Sequence, residues 1–181
     1  RERRPITTLD LERMPSDALA LTIVVAGAGT AAAIDIRTRR VPNAVTISLA
    51  SVGMLLAASG LGRVGVTAAL AGGLLGFALM LPGHFLGATG AGDVKLLSAL
   101  GTLLGPSSTW WAFLVAMIAG GILAAVVAAH RGRLRLAVRR SAELMVTAGG
   151  NAADIEDAGA NNGFAYAPAI AIGAIVAGAF V

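Results

Sequence analysis

The apolar residues of this chain are gathered into runs that a soluble fold has no means of burying. Residues 18–34, 42–59, 64–85, 110–129 and 164–181 are almost free of charge, and 94–104 is a shorter run of the same kind. Roughly 20 consecutive apolar residues carry a helix across a bilayer. Polar residues collect in short clusters between the runs instead of alternating with apolar ones, which is how a polytopic membrane protein distributes its polarity. The charged fraction is only 13%, and mean hydropathy is +0.79. The sequence therefore predicts an all-α fold, a polytopic bundle of about six transmembrane helices, with the lipid bilayer as its first partner. Residues 1–17 read as a polar N-terminal tail. Residues 18–181 read as a single transmembrane domain that includes a polar loop at 130–163.

Punctuation residues set the boundaries. Pro42 and Asn43 open the second run, since proline suits the first turn of a helix. Gly60 to Arg63 is a short turn, and Pro82 with Gly83 breaks or kinks the end of the third run. A Gly-rich loop, Gly87 to Gly92, leads into the fourth. Trp110 and Trp111 stand where interfacial aromatic anchors belong. The fourth run is short enough to be re-entrant, and loop charge decides the matter. If it crosses and the N-terminus lies outside, the inner side holds Arg37, Arg39, Arg40, Lys95, Arg131, Arg133, Arg135, Arg139 and Arg140. These are nine of the 14 basic residues. A re-entrant fourth run would place the cluster from Arg131 to Arg140 outside, against the positive-inside rule. The expectation is six crossings with both termini outside. The net charge of +4 comes from these span flanks, so it calls for no nucleic-acid partner.

Between Asp17 and Glu143 only two acidic residues occur, Asp35 and Asp93, each at the end of an apolar run. A carboxylate beside hydrocarbon is costly and rarely persists without a role. Two carboxylates brought together do not readily both ionise, so the pair shares a proton. One can then act as general base on a water while the other protonates a carbonyl oxygen or leaving group. The chain has no cysteine, and His84 and His130 are far apart, so neither a thiol nucleophile nor a metal site is expected. No cofactor is implied. A structural reading stands beside the chemical one: Asp93 pairing with Lys95 or capping a helix, and Asp35 pairing with Arg37 or Arg39.

The residues around the two aspartates resemble a known family. The stretch from Asp35 through Val41-Pro42-Asn43 looks like the first aspartate region of the type IV prepilin peptidases. Gly90-Ala91-Gly92-Asp93-Val94-Lys95 looks like their second, the Gly-x-Gly-Asp motif followed by a lysine. Residues 164–173 are similar to the family's closing helix, with Ala165-Tyr166-Ala167-Pro168 where Pro-Tyr-Gly is usual. The resemblance implies a bilobal bundle of six helices and a membrane aspartic endopeptidase with Asp35 and Asp93 as the catalytic pair. It implies that Gly90, Gly92, Lys95, Pro42 and Asn43 support the site or the substrate. It also implies a prepilin or pseudopilin substrate whose basic leader is removed at the cytoplasmic face of a bacterial cytoplasmic membrane, with a pilus assembly machinery as a further partner. The absence of a Cys-x-x-Cys domain resembles the short members associated with Flp or Tad pili, for which no methylation is expected. Two alternatives stay open: a proton- or ion-coupled transporter that uses the aspartates as carriers, and a non-catalytic pilus-assembly protein.

Overall fold

Only Gly105 interrupts the helical backbone between Ala91 and His130, and it does so with φ 75° and ψ 173°. The computed structural model describes residues 8–85, 89–130 and 166–180, and every regular element among them is a helix. In chain order these are α1 (Thr8–Thr38), α2 (Asn43–Ser59), α3 (Val66–Phe85), α4 (Ala91–His130) and α5 (Ala167–Phe180). Of the polar loop at 130–163, residues 131–163 lie outside the described residues, and so do the arginine cluster from Arg131 to Arg140 and Gly87.

By length and composition, Asp17–Thr38, Val66–Phe85 and Ala91–Val127 are able to cross a membrane, and α2 and α5 are shorter apolar helices. The chain is an all-helical, multi-pass membrane protein. Its described helices number five, where six were expected, because the fourth and fifth runs belong to one element, α4. That element is not straight. The ring of Tyr166 lies against Gly120, yet its neighbour Ala167 bonds Asp35, whose helix leads within six residues to Val41 beside Gly92. In a straight helix Asp93 and Gly120 would stand about 40 Å apart at 1.5 Å per residue. Gly105 takes the positive-φ backbone that glycine tolerates and bulkier residues resist, and Pro106 then opens the second segment as a helix-starting residue. The two segments fold back on each other. Along α5, Gly178 meets Leu104, Gly173 meets Ala112 and Ala116, and Tyr166 meets Gly120.

Other boundaries differ from the sequence reading for local reasons. Helix α1 begins at Thr8, well before the first apolar run, because hydropathy marks where lipid begins and not where helix does. Pro82 lies inside α3 rather than ending it. Helix α4 begins at Ala91, inside the expected Gly87 to Gly92 loop, so Asp93 sits in its first turn. Helix α2 starts after Pro42 as expected and is closed by Gly60 at φ 73°.

Small residues decide how closely the helices approach. A Cβ on Gly72 of α3 would strike the Gly101 and Gly105 backbone of α4, and a Cβ on Gly76 would come within 2.7 Å of the Leu97 carbonyl oxygen. Ser98 Oγ donates to the Gly73 carbonyl at 2.9 Å across the same contact. The buried centre is built from Val24, Met80, Leu96, Leu97, Leu100 and Ile170. Large aliphatic side chains such as Leu55, Leu74, Ile118 and Ile122 point outward, the arrangement lipid permits and water does not.

The helix ends sort into two sets. At one end Arg63 donates through Nη1 to the Gly178 carbonyl at 2.9 Å and lies 3.7 Å from Asp17, with Val64 beside Gly105. At the other end are Asp35, Asn43, Asp93 and Tyr166. Eighteen residues of α1 between Asp17 and Asp35 give a rise of about 27 Å, close to the hydrocarbon thickness of a bilayer.

Candidate active site

Four helix termini meet around the two aspartates. Asp35 belongs to the last turns of α1, which closes on Arg39. Arg39 adopts φ 53° and donates its backbone N–H to the Asp35 carbonyl at 2.7 Å, the single-bond left-handed helix stop usually given to glycine. Val41 and Pro42 then turn the chain into α2. Asp93 is the third residue of α4. The Gly90 N–H donates to Asp93 Oδ2 at 3.0 Å, and the Asp93 and Val94 N–H groups return to the Gly90 carbonyl at 3.0 and 3.3 Å. This is one half of a capping box, with glycine at the cap position and hence no reciprocal side-chain bond.

Asp35 reaches a different helix. Its Oδ2 accepts the Ala167 N–H at 3.1 Å, one of the donors that an α-helix leaves unpaired at its N-terminus. Pro168 follows it, in the turn where a missing N–H costs nothing. Both carboxylates therefore lie at helix N-termini, whose positive dipole ends favour negative charge. Both are buried, with Asp35 5% and Asp93 7% exposed, and Asp35 is near enough for its charge to act on Asp93. Each uses Oδ2 for its backbone bond, and Oδ1 meets no protein donor among the described residues.

The ion pairs weighed as a structural explanation do not form. Arg63–Asp17 is the ion pair found among the described residues. Lys95 Nζ instead donates to Asn43 Oδ1 at 3.1 Å, linking the start of α4 to the start of α2. The helix-cap explanation does hold for Asp93, and it accounts for one of that residue's two oxygens.

Gly92 and Gly90 have separate reasons to lack side chains. A Cβ on Gly92 would stand 3.1 Å from Val41 Cβ, so the turn before Pro42 packs directly on the α4 start. A Cβ on Gly90 would stand 3.3 Å from Asp93 Oδ2. The structure thus brings Asp35, Asp93, Gly90, Gly92, Pro42, Asn43 and Lys95 to one end of the bundle.

Tyr166 and Ala167 entered the sequence reading only as part of the closing-helix resemblance and not as site residues. Tyr166 is the chain's single tyrosine, half-buried against Gly120, with its hydroxyl donating to the Ala116 carbonyl at 3.3 Å. A lone tyrosine just before a Pro-containing helix start was the available signal. Backbone donors such as Ala167 N–H carry none.

Both carboxylates are buried, each has one oxygen anchored by a backbone N–H, and the charge of Asp35 bears on Asp93, a setting in which a carboxyl can serve as a general acid or base. The sequence model described as the type IV leader peptidase family matches residues 22–125, which contain both aspartates. No curated protein and no solved structure matches the chain.

Proposed function

This chain belongs to the type IV leader peptidase family, and on that premise we propose that it is an aspartic endopeptidase cleaving Flp-type prepilin precursors. The reaction is removal of a basic leader just before the substrate's hydrophobic segment, at the cytoplasmic face of a bacterial cytoplasmic membrane. The observation that carries the reading is that Asp35 and Asp93, from two different helices, are both buried at the same end of the bundle, each with one oxygen held by a backbone N–H.

One carboxylate, ionised, takes a proton from a water as that water attacks the scissile carbonyl. The other, protonated, donates to the carbonyl oxygen, and the proton then passes to the leaving amine. The bonds from the Ala167 and Gly90 N–H groups hold each carboxylate in orientation without occupying the oxygen that reacts. Gly92 lets Val41 and Pro42 pack against the catalytic turn, and the Lys95–Asn43 bond fixes the starts of α2 and α4 to each other. Tyr166, beside Asp93, offers a hydroxyl at the edge of the site. Placement of the carboxylates at helix ends supports a peptidase over a proton carrier, which would need a relay through the membrane interior.

The test is cleavage of a Flp-type prepilin in membranes or detergent, with mass analysis of the product. Positioned acid–base groups contribute roughly 10²–10⁴-fold each. Asp35→Asn and Asp93→Asn should each lower cleavage by about that much while the protein still inserts and folds. Wild-type rates in either variant would overturn the two-aspartate mechanism.

A further inference from the structure

The connection between α3 and α4 bears on Asp93 through a route that the two-aspartate mechanism does not use. His84, in the last turn of α3, has Nδ1 3.1 Å from the Thr89 carbonyl oxygen. That oxygen can only accept, so Nδ1 carries the proton and donates. The next atom along the chain is the Gly90 nitrogen, whose N–H donates to Asp93 Oδ2 at 3.0 Å. The Thr89 C=O and the Gly90 N–H are the two ends of one peptide unit. A donor on the oxygen of a peptide polarises the unit and strengthens the bond its N–H makes, the cooperativity found in chains of hydrogen bonds.

The geometry around this peptide is held by main chain. The Thr89 N–H donates to the Gly83 carbonyl at 3.2 Å, and a Cβ on Gly83 would stand 3.1 Å from Thr89 Oγ1. Thr89 Oγ1 itself is buried without a hydrogen-bond partner, so the side chain of Thr89 is not what orients the peptide. Apart from Asp93 itself, His84 is the only side chain among the described residues bonded to the unit. The histidine is exposed and touches neither aspartate.

We propose that His84 is a positioning residue for Asp93, acting through the Thr89–Gly90 peptide to fix and strengthen the bond that orients the carboxylate. The inference rests on reading Asp93 as one of the two reacting groups. Its effect belongs to the chemical step and not to substrate affinity, because His84 reaches the site only through that peptide.

The experiment is prepilin cleavage kinetics for the wild type, Asp93→Asn, His84→Ala and His84→Asn, with kcat and KM determined separately. An asparagine amide places an N–H near the position of Nδ1, so His84→Asn keeps the donor and loses the ring. A single hydrogen bond of this kind corresponds to roughly a three- to tenfold effect. The expected result is a fall of that size in kcat for His84→Ala with KM unchanged, and recovery of most of it in His84→Asn. Wild-type kcat in His84→Ala overturns the inference, as does an equal loss in both His84 variants or a change confined to KM. These outcomes are read against an active wild type and an inactive Asp93→Asn. An inactive wild type, or an active Asp93→Asn, overturns the reading of the site and this inference with it.

Discussion

Gly92 and Val41 show how tightly the two motif regions depend on each other. They are 51 positions apart in the chain, yet a methyl group added to Gly92 would press on Val41 Cβ at 3.1 Å. A contact that short must open by a few tenths of an ångström, and the turn that would give way is the one leading out of Asp35. Gly92→Ala should therefore keep the protein folded and lower cleavage several-fold. Gly92→Val, with two further carbons at the same contact, should abolish cleavage at an overpacking cost of about 1–3 kcal/mol. Cleavage rate together with thermal stability in detergent checks both; full activity in Gly92→Val would show that the turn is free to move. At this scale the sequence disclosed the charged and punctuating residues. Asp35 and Asp93 stood out because acids are rare beside hydrocarbon, and Pro42 and Asn43 because proline marks a helix start. It did not disclose the bond from Ala167 N–H to Asp35, which joins residues 132 positions apart through a backbone group that every residue carries. Nor did it disclose that Arg39, with no glycine's freedom, would take the left-handed position that ends α1.

Among the elements, α4 carries the most consequence, because its fold at Gly105 lets one element supply both Asp93 and the wall against which Tyr166 packs. The sequence offered the gap between the fourth and fifth runs, with Gly105-Pro106 inside it, and loop charge argued for two crossings over a re-entrant segment. What it could not offer was that the helical backbone resumes at once after a single residue, so that the two segments are joined with no loop. Gly105 has a demanding environment: φ 75°, and a position where a Cβ would stand 2.9 Å from Val64 Cγ1. A non-glycine residue in this positive-φ, extended-ψ backbone costs roughly 1–3 kcal/mol, and the clash with Val64 adds to it. Gly105→Ala should therefore lower the midpoint of thermal unfolding measurably, and Gly105→Val should do so more. Trimming the neighbour in a Gly105→Ala, Val64→Ala double variant should recover the clash portion but not the backbone portion. Full recovery in the double variant would mean that the positive-φ conformation costs nothing there, contrary to the φ that the backbone adopts.

For the molecule as a whole, the two-ended sorting of helix termini turns a charge argument into a question of sidedness. Arg37, Arg39, Arg40 and Lys95 all lie at the end that holds the aspartates. At the opposite end the described basic residues are Arg13 and Arg63, and Asp17 sits 3.7 Å from Arg63 and offsets its charge. The positive-inside rule predicts that the aspartate end faces the cytoplasm, the side on which the proposed leader removal requires it. Because the chain has no cysteine, single cysteines can report the two faces without a background. Leu61 is exposed in the turn after α2 and Thr38 is exposed at the end of α1, on opposite ends of the bundle. A membrane-impermeant maleimide applied to intact spheroplasts should label Leu61→Cys and spare Thr38→Cys. Inverted membrane vesicles should give the reverse. If spheroplasts instead label Thr38→Cys, the aspartates face outward, cytoplasmic leader removal is untenable, and the basic clusters would have to be held outside by something stronger than the usual bias of Lys and Arg. Labelling of both positions from one side would be harder still to reconcile with the fold, since about 27 Å of α1 rise separates Asp17, which meets Arg63, from Asp35.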